Sequence, residues 1–208
     1  MRRCFRATMV AVRFLATGKN EVKTMKRKTS LILLILTVFI LFLVGGYAYY
    51  NAEGGKVTLL YHEIRINAPP DKVWAVLADL EAVQHYNPAV IKAHYLSSMK
   101  EGVGASRYCD LKPKGWVKER VIGWEPKEAI TMELYESEWP LKFMRWRTAL
   151  RPDGAGTMVS QRMEYQVKFG VLGVAMDRLM MRSKLDKAIA DVFVSMKSYI
   201  ETGVAQPK

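Results

Sequence analysis

The chain has 208 residues, half of them hydrophobic, with 32 lysines and arginines against 20 acids and a formal net charge of +12. The excess is uneven: residues 1–30 hold nine basic side chains and one acid, Glu21 (9 − 1 = +8), which leaves 12 − 8 = +4 for the rest. Charge gathered ahead of an apolar segment belongs to membrane topology, so nucleic acid is not an expected partner. Of the two cysteines, Cys4 precedes that segment and Cys109 follows it. A membrane between them prevents their pairing and excludes a disulfide framework.

Residues 1–30 form a basic leader, of which 1–24 read either as a short cytoplasmic arm or as an extension upstream of a start at Met25. Residues 31–50 contain no charged side chain. At about 1.5 Å per residue they reach roughly 30 Å, enough to cross a hydrocarbon core as a helix. Tyr47, Tyr49 and Tyr50 suit the headgroup region at the far end. Lys26, Arg27 and Lys28 predict a cytoplasmic N-terminus and an exported domain in a single-pass inner-membrane protein. The alternative is a signal peptide cut near Ala48 and a secreted product. The length of the apolar run and the tyrosines around the possible cut favour retention as a signal anchor.

Residues 51–56 read as a linker and 57–66 as a strand rich in branched and aromatic residues. The Asn67-Ala-Pro-Pro-Asp-Lys stretch stops it and opens a helix over 71–80, with Val73, Trp74, Leu77 and Leu80 on one face. A second short helix over 81–85 ends before Asn87-Pro88. Six segments of strand character follow, at 90–98, 105–112, 116–124, 129–138, 142–151 and 156–168, separated by Gly- and Pro-rich breaks. Connections this short predict antiparallel hairpins. After Gly170 the apolar spacing becomes three and four, through Leu172, Ala175, Met176, Leu179, Leu185, Ile189, Val192, Met196 and Ile200. That predicts one long helix, loosened near Ser183, and residues 203–208 form a tail. The fold class is α+β, with a long C-terminal helix against a curved antiparallel sheet.

The stretch Ile66-Asn-Ala-Pro-Pro-Asp-Lys-Val-Trp-Ala-Val-Leu-Ala-Asp-Leu80, followed by His85-Tyr-Asn-Pro88, resembles the opening of the START-related helix-grip (SRPBCC) superfamily. The polyketide cyclase/dehydrase-like branch is the nearest. Gly102-Val-Gly104, Trp124-Glu-Pro126, Gly154-Ala-Gly-Thr157 and Gly170-Val-Leu-Gly173 add to the likeness, which spans 57–202. It implies a seven-stranded sheet wrapped around the C-terminal helix, with a cavity between them for a hydrophobic ligand such as a lipid. Members of this branch share no universal catalytic residue, so the site is argued from alternation.

The apolar strand faces expected to look toward the helix include Met132 and Leu134, then Trp146 and Thr148, then Gln161, Met163 and Tyr165. Met176, Leu179 and Met180 on the first half of the long helix are expected to close the space, methionine being adaptable to irregular ligands. For any one of these residues core packing is the simpler reading, and a cavity follows for the set from the resemblance. Glu119, in step with Val117 and Val121, is the one candidate acid/base, set against its pairing with an arginine or a slip at a bulge. His62, His85 and His94 lack metal-ligand spacing, and no phosphate loop, nucleophile elbow or paired-carboxylate motif occurs. Arg145, Arg147, Arg151 and Arg162 read as a solvated stripe on the outer sheet face.

Three functions remain. The first is a membrane-anchored, non-catalytic binding protein for a hydrophobic, lipid-like small molecule, without cofactor or metal. The second is a cyclase or dehydratase using Glu119. The third is an envelope interaction module.

Overall fold

The computed structural model describes residues 30–49 and 56–207, with Val171 described by its backbone alone. The basic leader, Cys4, the possible start at Met25, the glycines of the linker and Tyr50 lie outside the described residues. Two units are distinguished, divided after Tyr49.

In the first unit, α1 (Ser30–Tyr49) is a single 20-residue helix, apolar and long enough to cross a membrane. An anchor and a signal sequence both have that character. Thr37 Oγ1, in the middle of the helix, donates to the Leu33 carbonyl at 2.8 Å. That turns the polar atom inward and leaves the helix surface apolar.

The second unit begins with β1 (Thr58–Ile66), stopped by prolines, with Pro70 opening α2 (Pro70–Ala78) where a missing N–H costs nothing. A 3₁₀ turn (Leu80–Ala82) leads into α3 (Val83–Tyr86). The Asp79 side chain caps the turn by accepting from the Glu81 amide at 3.0 Å. Six strands follow: β2 (Val90–Tyr95), β3 (Ser106–Leu111), β4 (Trp116–Glu125), β5 (Ala129–Ser137), β6 (Leu141–Asp153) and β7 (Gly156–Val167). They form one seven-stranded antiparallel sheet in the order β1-β7-β6-β5-β4-β3-β2. β2 to β7 meander, and β1 adds to β7, so β1 and β2 are the two edges. Register shifts interrupt the pairing at Val90/Lys92, Lys118/Glu119, Val121/Gly123 and Leu141/Phe143. Each adds local twist and bend, and together they curve the sheet.

The chain is helical from Gly170 to Thr202, as α4 (Gly170–Met176), a π-helical segment (Asp177–Met181) and α5 (Arg182–Thr202). α5 lies against β1 and α3. Ile189, Phe193, Met196 and Ile200 enter the main buried cluster, with Leu185 and Val192 packed at its margin. Gly203, with φ of 77°, ends the helix in the left-handed conformation and returns its amide to the Tyr199 carbonyl at 2.8 Å.

The expected helix-grip fold is the one observed, with each strand end within three residues of its predicted position. The irregularity expected near Ser183 is the π-helical turn just before it. At the junction of β7 and α4 the backbone comes very close to itself: a Cβ on Gly173 would sit 1.8 Å from the Lys168 carbonyl oxygen. Gly173→Ala must therefore push α4 away from the end of β7. A loss of about 1–3 kcal/mol is expected from such overpacking, measured by urea unfolding of the detergent-solubilised chain followed by near-ultraviolet circular dichroism.

Candidate ligand cavity

Two buried clusters fill the space between sheet and helices. The larger draws on all seven strands and on α2, α3 and α5, and the smaller joins Leu80, Ala105, Val121, Ile130 and Met132. Between them lies a cavity of about 220 Å³, lined by members of both. That volume is larger than an engineered cavity of ~150 Å³ that binds benzene, and smaller than the roughly 300–1,000 Å³ of drug-sized sites.

Strand alternation builds most of the wall. β5 contributes Ile130, Met132 and Leu134, β6 contributes Met144, Trp146 and Thr148, and β7 contributes Gln161 and Met163. Register explains why they meet: Met132 pairs with Trp146, which pairs with Met163, and Thr148 pairs with both Ile130 and Gln161. Thr148 Oγ1 donates to Gln161 Oε1 at 3.2 Å, which joins the two polar groups on this wall. The opposite wall is α5, through Leu185, Ala188, Ile189, Val192, Phe193 and Met196. The exposed residues Lys112 and Trp139 line one margin, from the loops after β3 and β5.

The one charged pair in the wall is Arg107 with Glu119. The two face each other across the β3–β4 pairing, and Arg107 Nε donates to Glu119 Oε2 at 2.6 Å. Arg107 Nη1 also donates to the Leu80 carbonyl at 2.9 Å, tying the 3₁₀ turn to the sheet. Burial pulls the arginine pKa down, but Glu119, with Cys109 and Tyr86, outweighs it and the net shift is upward. The guanidinium therefore stays charged. Cys109 lies behind the pair, its Sγ 3.9 Å from Glu119 Oε2, and burial pushes its thiol up to about 12 against the opposing pull of Arg107. Tyr86, on the same wall, is raised chiefly by burial and remains a neutral phenol.

Of the residues expected at the site, Met132, Leu134, Trp146, Thr148, Gln161 and Met163 line the cavity, and so does Glu119. Glu119 lines the cavity, is paired with Arg107 and sits at a register shift, as the two structural alternatives for it expected. Tyr165 is buried but lies outside the lining, its hydroxyl donating to Asp177. Met176, Leu179 and Met180 do not close the cavity: Leu179 and Met180 are exposed and Met176 is half-buried outside the lining. The reason is helical phase. Four residues back from Leu185 is Met181 and seven further is Val174, both packed on the core, whereas Leu179 is six back and out of step. Arg107 is absent from the expected set, although it shares the buried phase of β3 with Cys109 and Leu111. Among the described residues no cluster of histidine, cysteine and acid could hold a metal.

Residues 58–201 match the family described as polyketide cyclase / dehydrase and lipid transport. The chain belongs to that family. A comparison with curated proteins gives no match. Among solved structures, TTHA0849 from Thermus thermophilus superposes with a TM-score of 0.59 at 17% identity, over 69% of this chain and 97% of that one. A START superfamily protein from Mycobacterium smegmatis gives 0.57 at 14% identity, over 70% and 99%. XoxI from Bacillus cereus gives 0.56 at 12% identity, over 69% and 95%. At these identities the likeness is one of fold.

Two measurements test the buried pair. Glu119→Gln leaves Arg107 charged without its counter-ion and should cost about 3–5 kcal/mol, while Arg107→Met with Glu119→Leu should recover most of that loss; chemical denaturation compares the three. In a Cys4→Ser background Cys109 is the one remaining thiol. It should resist a disulfide reagent near neutral pH until denaturant is added, because the reactive thiolate is suppressed.

Proposed function

We propose that the chain is a membrane-anchored, non-catalytic binding protein that holds a lipid-like hydrophobic small molecule between the sheet and α5. The observation that carries this reading is the cavity wall: methionine, leucine and aromatic side chains, with Thr148 bonded to Gln161 and Arg107 to Glu119. Such a wall rewards burial of apolar surface and offers a ligand few directional contacts. The match to a family described in terms of lipid transport agrees with it. The size favours a ring system or part of an acyl chain over a whole diacyl lipid.

Retention of α1 as an anchor, with the N-terminus in the cytoplasm and the domain exported, completes the reading. It is supported by the 20-residue apolar helix and by the basic residues that precede it. A hydrophobic pocket tethered to a bilayer meets lipid-soluble molecules first. A size difference between precursor and mature protein would remove this part of the proposal.

A second reading, catalysis by Glu119, is favoured by one observation, the presence of its carboxylate in the cavity wall. Its Oε2 is held by Arg107, which orients the group and withdraws one oxygen from a substrate. Denaturing extraction and mass spectrometry of the detergent-purified chain should recover a hydrophobic molecule. Val192→Phe, which adds bulk to the part of the cavity wall supplied by α5, should weaken capture on the order of tenfold, equivalent to about 1.4 kcal/mol. An unchanged yield from this folded variant would sink the binding proposal. Chemical conversion of the bound molecule, lost in Glu119→Gln while capture persists, would establish the catalytic reading instead.

A further inference from the structure

The first half of the C-terminal helical region carries its large apolar residues on the outside. Phe169 is 71% exposed, Leu172 78%, Leu179 81% and Met180 53%. Scattered exposed leucines need no explanation, but four large apolar side chains in twelve residues form a patch. Leu172, Leu179 and Met180 are seven and one residues apart, which puts them on one helix face with exposed Ala175 between. The opposite face is fastened to the domain. Asp177 is buried in the π segment and accepts from Tyr165, from Thr58 Oγ1 at 3.2 Å and from Arg182 Nη2 at 3.3 Å. The outward position of these residues is therefore fixed by a buried polar cluster on the inner side. π turns of this kind recur at functional sites.

Charge surrounds the apolar stripe. Residues 168–187 contain Lys168, Arg178, Arg182, Lys184 and Lys187 against Asp177 and Asp186, a balance of 5 − 2 = +3. Asp177 is engaged as described and Asp186 pairs with His62 at 2.7 Å. A short helix with apolar residues outward and cations on its flanks has the composition of a segment that seats in a lipid interface. Juxtamembrane cations add attraction to anionic headgroups.

Chain connectivity points to the same occupant. Thr58, the first residue of β1, is bonded to Asp177 and receives Arg182 Nη2 at 3.2 Å. The point where the chain enters the domain is thus clamped to the segment that carries the patch. Thr58 follows the last residue of α1, Tyr49, by 58 − 49 = 9 positions. That span reaches at most about 30 Å when fully extended.

We infer that Phe169, Leu172, Leu179 and Met180, flanked by Lys168, Arg182 and Lys184, form a docking surface for an anionic lipid bilayer. The inference rests on the reading of α1 as a retained anchor, which confines this face to the vicinity of the membrane. Seating it would bring lipid to within about a turn and a half of Leu185, the first residue of α5 in the cavity wall.

The test uses the full chain in nanodiscs of phosphatidylcholine, with or without phosphatidylglycerol, in a Cys4→Ser background. An environment-sensitive fluorophore is placed in turn at Leu36→Cys, Leu179→Cys and Ser98→Cys, the last in the turn after β2, the edge strand opposite β1. Nitroxide-bearing lipids should quench the label at 179 several-fold more than the label at 98, and more strongly with phosphatidylglycerol. Lys168→Glu with Lys184→Glu should reduce the quenching at 179 and leave that at 36 unchanged. Quenching at 36 with equal, weak quenching at 179 and 98 overturns the docking surface while the anchor stands. Absence of quenching at both 36 and 179 removes the anchor reading and the docking surface together. Shielding of the label at 179 from iodide without lipid quenching means that a protein or a second copy covers the patch, and also overturns the inference.

Discussion

The phase of the C-terminal helix against the concave sheet governs the architecture of this domain. α5 presents Ile189, Phe193, Met196 and Ile200 to the main core, and Leu185 and Val192 beside them. Several of these side chains serve both as core and as cavity wall. The helix lies across a sheet bent at four register shifts, and the smaller cluster around Leu80, Val121 and Met132 is separate from the main one. The cavity is lined by members of both clusters. Trp146, packed against both clusters and projecting into the wall, bridges them without closing the space.

Within that frame the Arg107–Glu119 pair solves a structural problem at the cavity margin. The 3₁₀ turn before α3 presents the Leu80 carbonyl toward the sheet, and a guanidinium meets it. A lone buried cation would be costly, so the residue directly opposite on β4 is a carboxylate. Among the described residues no buried side-chain nitrogen or oxygen lacks a partner. The wall is therefore electrically quiet. Apart from Lys112 at the exposed margin, the two charges in the wall are held by each other, and the field a ligand meets there is that of a dipole at close range.

Much of this was legible in the sequence because alternation is a short-range code. On β5, β6 and β7 the period of two assigns Met132, Leu134, Trp146, Thr148, Gln161 and Met163 to the inner face, where they lie. The helix is harder, because a stripe can be drawn through it in more than one phase. Grouping Met176 and Leu179 with Leu185 requires a six-residue step that a helix of 3.6 residues per turn does not allow. The stripe that keeps phase runs through Val174, Asp177 and Met181. Its middle member is an acid, which obscures it, and Asp177 becomes intelligible only beside Tyr165, Thr58 and Arg182 from elsewhere in the chain. Arg107 is hidden for the same reason. A charged residue in a buried phase looks like an error until its cross-strand partner is known.

Arg107 and Asp177 share a physical content that bears on the proposed function. The fold buries two charged groups from the inner phase, one on β3 and one in the π segment, and answers each with partners from distant elements. Asp177 and Met181 take the inner side of the π segment, which leaves Leu179 and Met180 on its outer side. Apolar surface left exposed outside and apolar volume left unfilled inside both cost stability. A ligand in the cavity and a bilayer against the patch would each offset one of those costs. Under the proposed function, loading and membrane contact then act on neighbouring turns of a single helical element, and coupling between them needs no longer path than Met181 to Leu185.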